Sequence, residues 1–302
     1  MPEPAPAPFA VLVPGSVLLD HYADTGEKFL GGAEFNFAHH LHHLLGGVDF
    51  AARIGRDEAG AYIQEELRRR DFPAGLLQTD PSKPTKTVLV RNAGSGGPTF
   101  LIPDDVASEF LEFPPLAPER LKAYDLVYFG TTLQHGAASR ATLRALLDQC
   151  SGLKFCDLNL RPPKYTGEIV RWSLQACDAL KINQEELDAL TEMFGLLGTR
   201  EEKLRVLSEE FYIPEICLTL GPRGSLYFRR GHFDLHKAPP VKVVDTVGAG
   251  DAFSAGLAVG MLEDWEPQRT LDFASELAGA VCAFRGAVPE RPDFYAGLKG
   301  RL

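Results

Sequence analysis

VKVVDTVGAGDAFSAGLAVGML, residues 241–262, joins a β-branched run, Val241–Val244, to the turn Gly248-Ala249-Gly250-Asp251 and then to a helix built from small residues. Small residues with permissive backbone angles at a strand-to-helix turn let successive N–H groups converge on one point, where the helix dipole adds positive potential. Such a turn is an anion hole. An aspartate beside it repels an anionic ligand unless it has a task, and general-base work on an attacking hydroxyl is one; capping the helix N-terminus is the other reading of Asp251. Asp245-Thr246 upstream read equally well as plain turn residues. The dinucleotide fingerprint G-x-G-x-x-G fails at its third position, where Phe253 stands, and the Walker pattern is absent.

Around this stretch, short continuous apolar runs alternate with amphipathic ones. Phe9–Val13, Val48–Ile54, Leu126–Phe129, Lys154–Leu158, Ala179–Ile182 and Ile216–Leu220 read as strands buried on both faces. Helical patterns fall near 33–45, 57–70, 138–149, 167–176, 184–195, 200–210, 251–262 and 268–284. The alternation predicts an α/β fold with a mainly parallel sheet between two helical layers. Val17–Leu30 and Thr85–Pro103 break the rhythm with turn-punctuated strands and no helix, predicting a small β-sheet lid at about 17–31 and 85–103 beside a single domain of residues 1–302.

A formal charge of −10 opposes binding to a polyanion, so nucleic acid is excluded as a partner, while a small phosphorylated ligand remains compatible with backbone N–H groups. No run of 18 apolar residues offers a membrane span, and the start MPEPAPAPFAVLVPG lacks the features of a signal peptide. A cytoplasmic protein is expected. The five cysteines include no C-x-x-C pair and mostly lie in apolar stretches, predicting buried reduced thiols.

DTVGAGDAF at 245–253 resembles the C-terminal signature of the ribokinase-type (PfkB) carbohydrate kinases. The resemblance continues, in the family's order, at Gly31-Gly32-Ala33-Glu34-Phe35-Asn36-Phe37-Ala38, Gly55-Arg56-Asp57-Glu58-Ala59-Gly60, Lys181-Ile182-Asn183-Gln184-Glu185-Glu186 and Thr219-Leu220-Gly221-Pro222-Arg223-Gly224. It implies a three-layer ribokinase-like domain and phosphoryl transfer from ATP to a sugar. Asp251 would deprotonate the acceptor hydroxyl, and the backbone of Gly248, Ala249 and Gly250 would stabilise the transferring phosphoryl group. Asn183 and Glu186 would order Mg²⁺ and its waters, with Glu186 acting through water. Thr219, Gly221 and Gly224 would line the nucleotide cleft, and the backbone near Ala278–Gly286 would close on adenine. Asp20, Gly32 and Asn36 would hold sugar hydroxyls, and a monovalent cation such as K⁺ would lie near Asp245.

Phe155-Cys156-Asp157-Leu158-Asn159-Leu160-Arg161-Pro162-Pro163 is similar to the D-x-N-x-R-P segment of fructokinases, which makes fructose the first choice and places Arg161 toward the substrate crevice. Glu34 departs from the proline common there in fructokinases and is shared with 2-keto-3-deoxygluconate kinases, so an acid sugar is the rival. A non-catalytic sugar-binding protein of the same fold is a further alternative. A lid with an exposed edge could pair with a second copy, giving a homodimer. His39, His40, His42 and His43 crowd one helix; without a third ligand they read as helix surface and packing rather than a metal site.

Overall fold

The apolar runs form one nine-stranded sheet, in a computed structural model that describes residues 8–92, 98–101, 103–289, 291 and 293–302. Seven strands are parallel: β1 (Val11–Pro14), β4 (Val48–Gly55), β5 (Leu76–Asp80), β8 (Leu126–Phe129), β9 (Leu153–Asp157), β10 (Ala179–Asn183) and β11 (Glu215–Thr219). β12 (Ser225–Arg229) and β13 (His232–His236) add an antiparallel edge, giving the order β13-β12-β11-β10-β9-β8-β1-β4-β5.

Side chains alternate between two cores. Val11 and Val13 of β1 join one apolar cluster and Leu12 the other; Leu126 and Tyr128 of β8 divide from Val127 and Phe129 in the same way. The first cluster is completed by α1 (Ala33–Leu45), α2 (Glu58–Arg69), α8 (Ala249–Leu262) and α9 (Pro267–Val281). The second is completed by α4 (Ala137–Gln149), α5 (Gly167–Ala176), α6 (Gln184–Phe194) and α7 (Arg200–Phe211). The short helices α3 (Pro118–Lys122) and α10 (Ala296–Lys299) add Leu121 to the second cluster and Leu298 to the first. Two helical layers around one sheet are the expected three-layer arrangement.

The chain runs from β1 to β4 on one side and later returns to β8 on the other. The strand order therefore reverses between β1 and β8, and the crevice beyond the carboxyl ends of these strands is where open α/β sheets bind ligands. Ser16 follows β1, Thr131 and Thr132 follow β8, and Arg161 and Lys164 follow β9; together they line one cavity at this crevice.

A separate four-stranded sheet stands over it, with β2 (Leu18–Tyr22), β3 (Lys28–Gly31), β6 (Thr87–Asn92) and β7 (Pro98–Leu101) in the order β3-β2-β6-β7. Both hairpins are antiparallel as expected, while the inner pair β2 and β6 runs parallel, with Leu19 opposite Thr87. The AGSGG turn of the second hairpin lies outside the described residues. Arg285 pairs with Glu27 at 3.0 Å and stands over the rings of Tyr22 and Phe29 at 5.1 and 5.8 Å, which ties this sheet to the main body.

Two expectations need correction. Val241–Val244 is not a strand: no partner strand lies beside it, and Val243 is 56% exposed. β-Branched residues favour strands because they pack on a pleated neighbour, and without one the preference has nothing to act through. β5, β12 and β13 were not foreseen: Gln78 and Thr79 interrupt β5, Asp234 and His236 interrupt β13, and β12, polar at both ends with Ser225 and Arg229, takes its register from β11. Among the described residues no helix is long and apolar enough to cross a membrane. All five cysteines are free thiols, four of them buried.

Candidate active site

α8 starts at Ala249, and the residue before it, Gly248, has φ 77° and ψ −7°. This left-handed conformation favours glycine, and a β-carbon at Gly248 would also stand 2.4 Å from the Ala287 Cβ. Among the described residues the N–H groups of Gly248 and Gly250 have no acceptor, whereas that of Ala249 points to the Thr246 carbonyl at 3.3 Å. Two free donors therefore remain at the start of the helix, as an anion hole requires.

Asp251 does not cap the helix. It lies within the first turn, and its Oδ2 accepts a 2.7 Å hydrogen bond from Asn36 Nδ2 of α1. Burial, reinforced by the nearby Asp157 carboxylate, pushes the Asp251 carboxyl up to about 7. Asp157 itself is held by Lys181 Nζ at 3.1 Å from each oxygen, by Ser254 Oγ at 2.7 Å and by the Tyr128 hydroxyl at 3.2 Å. Burial opposes the charge of Lys181, but Asp157, Glu186 and Asp251 outweigh it and hold the ammonium above its usual range. Its Nζ lies 3.3 Å from where a β-carbon on Gly250 would stand. A fixed positive charge thus sits directly behind the turn.

On the other side of Asp251, Asn36 is 4% exposed, and its Oδ1 has no partner. A buried amide oxygen without a donor is costly, and a ligand hydroxyl would satisfy it. Asp20 stands on β2, not in a turn, with its Oδ2 against Gly31, and burial pushes its carboxyl up to about 6 against the pull of Lys86 and Arg161. Arg161 is exposed at the cavity wall and acts on Asp20, Lys86 and Asp251 alike. Glu34, 1% exposed, accepts from Ser16 Oγ at 3.2 Å and from the Thr132 hydroxyl. The carboxylate that replaces the usual proline therefore lies under the same cavity.

Gly32 precedes α1 with φ 110°, and a β-carbon there would meet the Ser16 carbonyl oxygen at 2.4 Å. Gly32→Ala is expected to destabilise the fold by roughly 1–3 kcal/mol in urea unfolding, because backbone on both sides must move. An unchanged unfolding midpoint would contradict this placement.

The residues expected to border the nucleotide are placed as follows. Asn183 caps α6 in a reciprocal capping box with Glu186, whose two oxygens accept the backbone N–H groups of Asn183 at 2.8 Å and Leu160 at 3.0 Å. Burial raises the Glu186 carboxyl above its usual range. Thr219 Oγ1 reaches the Ile182 carbonyl at 3.4 Å at the end of β11. Gly221, at φ 59°, has open space beside it, whereas Gly224 is packed against the backbone of His236, which by itself accounts for a glycine there. Asp245 accepts from Val247 N at 3.1 Å and Gly286 N at 3.0 Å, while Val244 N donates to the Cys282 carbonyl at 2.8 Å, so the 278–286 segment is bound to the loop before the anion hole.

Sequence reasoning missed Asp157 and Lys181 as parts of this site. The signal available was a lysine inside the apolar run ALKIN, a placement that requires a buried counter-charge. The histidine reading needs correction too: His39 and His40 are buried, not surface, and both bond the Tyr295 hydroxyl.

Residues 16–293 match the pfkB family carbohydrate kinase description. The fructokinase of Escherichia coli is 26% identical over 299 residues, covering 93% of this chain and 96% of that protein. The ribokinase of Arabidopsis thaliana is 33% identical over 294 residues, covering 92% and 73%. A crystal structure of Vibrio cholerae O395 fructokinase with fructose, ADP and calcium superposes with a TM-score of 0.78 at 26% identity, covering 96% of this chain and 99% of that one. With the fold, the glycine turn and the aspartate beside it in place, the match over nearly the whole length means that the chain belongs to the pfkB family of carbohydrate kinases, phosphotransferases whose acceptor is a hydroxyl group.

Proposed function

We propose that this kinase transfers the γ-phosphoryl of ATP to a primary hydroxyl of a hexose, with D-fructose going to fructose 6-phosphate. The observation that carries the site is the Asn36 amide, which donates to Asp251 at 2.7 Å and leaves its own buried oxygen for a sugar hydroxyl. Asp251 takes the proton from the acceptor hydroxyl as its oxygen attacks the γ-phosphorus, and ADP leaves on the opposite side. The free N–H groups of Gly248 and Gly250, with the Lys181 charge behind them, stabilise the equatorial oxygens. Asp20 and Gly32 fix the sugar, and Thr219, Gly221 and the 278–286 backbone border the nucleotide.

The oxygens of Asn183 and Glu186 suit a hydrated Mg²⁺, held through water because both Glu186 oxygens already accept backbone N–H groups. The ion supplies charge neutralisation on the phosphates. Asp245 is the candidate neighbour of a monovalent cation; a V. cholerae fructokinase structure contains potassium with fructose and ADP. The chain works as one domain whose small sheet, anchored through Arg285, closes over the sugar and keeps water from competing as acceptor.

A specific observation favours a second reading, an acid sugar. Lys86 and Arg161 line the substrate cavity with no ion-pair partner among the described residues, and Lys164 joins them, although paired with Asp104. A panel of fructose, ribose, 2-keto-3-deoxygluconate and adenosine with ATP and Mg²⁺, read by ADP release, decides between them. Fructose is expected to give the highest kcat/KM; preference for the acid sugar would replace the substrate and keep the mechanism, and no turnover with any sugar would favour a binder.

A further inference from the structure

Asn36 and His40 are one turn apart on α1, and both are buried. Asn36 holds the base. His40 reaches the C-terminal segment: its Nε2 lies 3.1 Å from the Ala287 carbonyl oxygen, and its Nδ1 lies 2.8 Å from the Tyr295 hydroxyl. Ala287 in turn forms the wall behind Gly248, with its Cα and Cβ 2.6 and 2.4 Å from where a β-carbon on Gly248 would stand.

The proton positions follow from the partners. A carbonyl only accepts, so Nε2 of His40 carries the hydrogen and Nδ1 is bare. Tyr295 therefore donates its hydroxyl hydrogen to His40 Nδ1 and accepts from His39 Nδ1 at 3.2 Å. The hydrogen bonds run from His39 through Tyr295 and His40 to the accepting carbonyl of Ala287, and every residue in the series is buried. Burial lowers His40 to about 4, so this pattern persists at neutral pH.

We propose that His40 is a positioning residue for phosphoryl transfer: through the Ala287 carbonyl it fixes the wall that holds Gly248 in its left-handed conformation, while Asn36, one turn earlier, fixes the base, so that a single helix face sets both halves of the reacting geometry. The proposal rests on the kinase reading of the site. It makes the C-terminal residues around Tyr295 contributors to turnover rather than to sugar binding.

His40→Leu removes both hydrogen bonds at similar volume, His40→Gln keeps a donor where Nε2 stood, and Tyr295→Phe removes only the hydroxyl. His40→Leu is expected to lower kcat by roughly 10–100-fold with sugar KM within about threefold, because small misplacement of reacting groups costs rate rather than affinity. His40→Gln is expected to restore kcat to within about threefold of wild type, and Tyr295→Phe to lose about two- to fivefold, since it leaves the Ala287 bond in place. In parallel, hydrogen exchange at the amides of residues 248–252 should quicken in His40→Leu and recover in His40→Gln. Wild-type kcat in His40→Leu, a loss carried entirely by KM, or no rescue by His40→Gln would each overturn the proposal. If the wild type phosphorylates no sugar, the kinase reading fails instead, and the exchange measurement alone decides: unchanged protection at 248–252 refutes the His40 link, and loss with rescue supports it.

Discussion

Asp251→Asn is expected to lower kcat by about 10²–10⁴-fold, the range a positioned general base supplies, while sugar and ATP still bind. The asparagine keeps an oxygen for the Asn36 amide, so the 2.7 Å contact survives and the loss reports the proton acceptor alone. In the wild type, kcat/KM should rise with pH as Asp251 ionises and reach half its plateau near the value of about 7 set by burial and Asp157. The stability change has the opposite sign to the activity change. Asp251 has its carboxyl pKa raised from 3.8 to about 7 by folding, so the folded state holds a proton that the unfolded state has lost, and stability declines as pH rises between those values. Asparagine removes that cost, and the variant should be more stable than wild type above pH 7 by on the order of 4 kcal/mol, the gap closing toward pH 4. Urea unfolding at pH 5 and pH 8 measures it. An active variant, or one with reduced stability at both pH values, would place the carboxylate elsewhere in the reaction.

Lys181→Met is expected to be the most destabilising single change in the site. It leaves Asp157, 1% exposed, facing Ser254 and Tyr128 without its counter-charge, and removing one member of a buried pair costs about 3–5 kcal/mol. The same change removes a charge that lowers the Asp251 carboxyl, so the acid limb of the pH profile should move upward in whatever fraction remains folded. Lys181→Met with Asp157→Leu should regain most of the lost stability, since a buried pair and an apolar replacement are often close in energy. In the double variant the acid limb should move below the wild-type value, because Asp157 raises Asp251 more than Lys181 lowers it. Equal stability of single variant and wild type would mean that Lys181 is not held by Asp157 in solution.

Much of the architecture was legible in the chain because parallel strands buried on both faces are mostly apolar, as Leu126–Phe129 is throughout and Ala179–Ile182 is but for Lys181. The edge was not legible in the same way. β12 and β13 carry polar residues; β12 is paired by β11, and β13 only through β12. Val241–Val244 misled in the reverse direction, having strand-forming residues and no neighbour to pair with.

For the site, residue types and local spacing were enough to mark the glycine turn with its aspartate, because a left-handed residue and a free helix N-terminus are properties of a few consecutive positions. The amino-acid sequence by itself thus determined the layered α/β plan and the glycine turn at the start of α8. Only the tertiary structure decided that Asp251 faces Asn36 rather than capping α8, that Asp157 and Lys181 lie behind the turn, and that His40 reaches Ala287. These depend on contacts between positions up to 247 residues apart, and the burial that shifts Asp251 and lowers His40 exists only once those distant segments exclude water together.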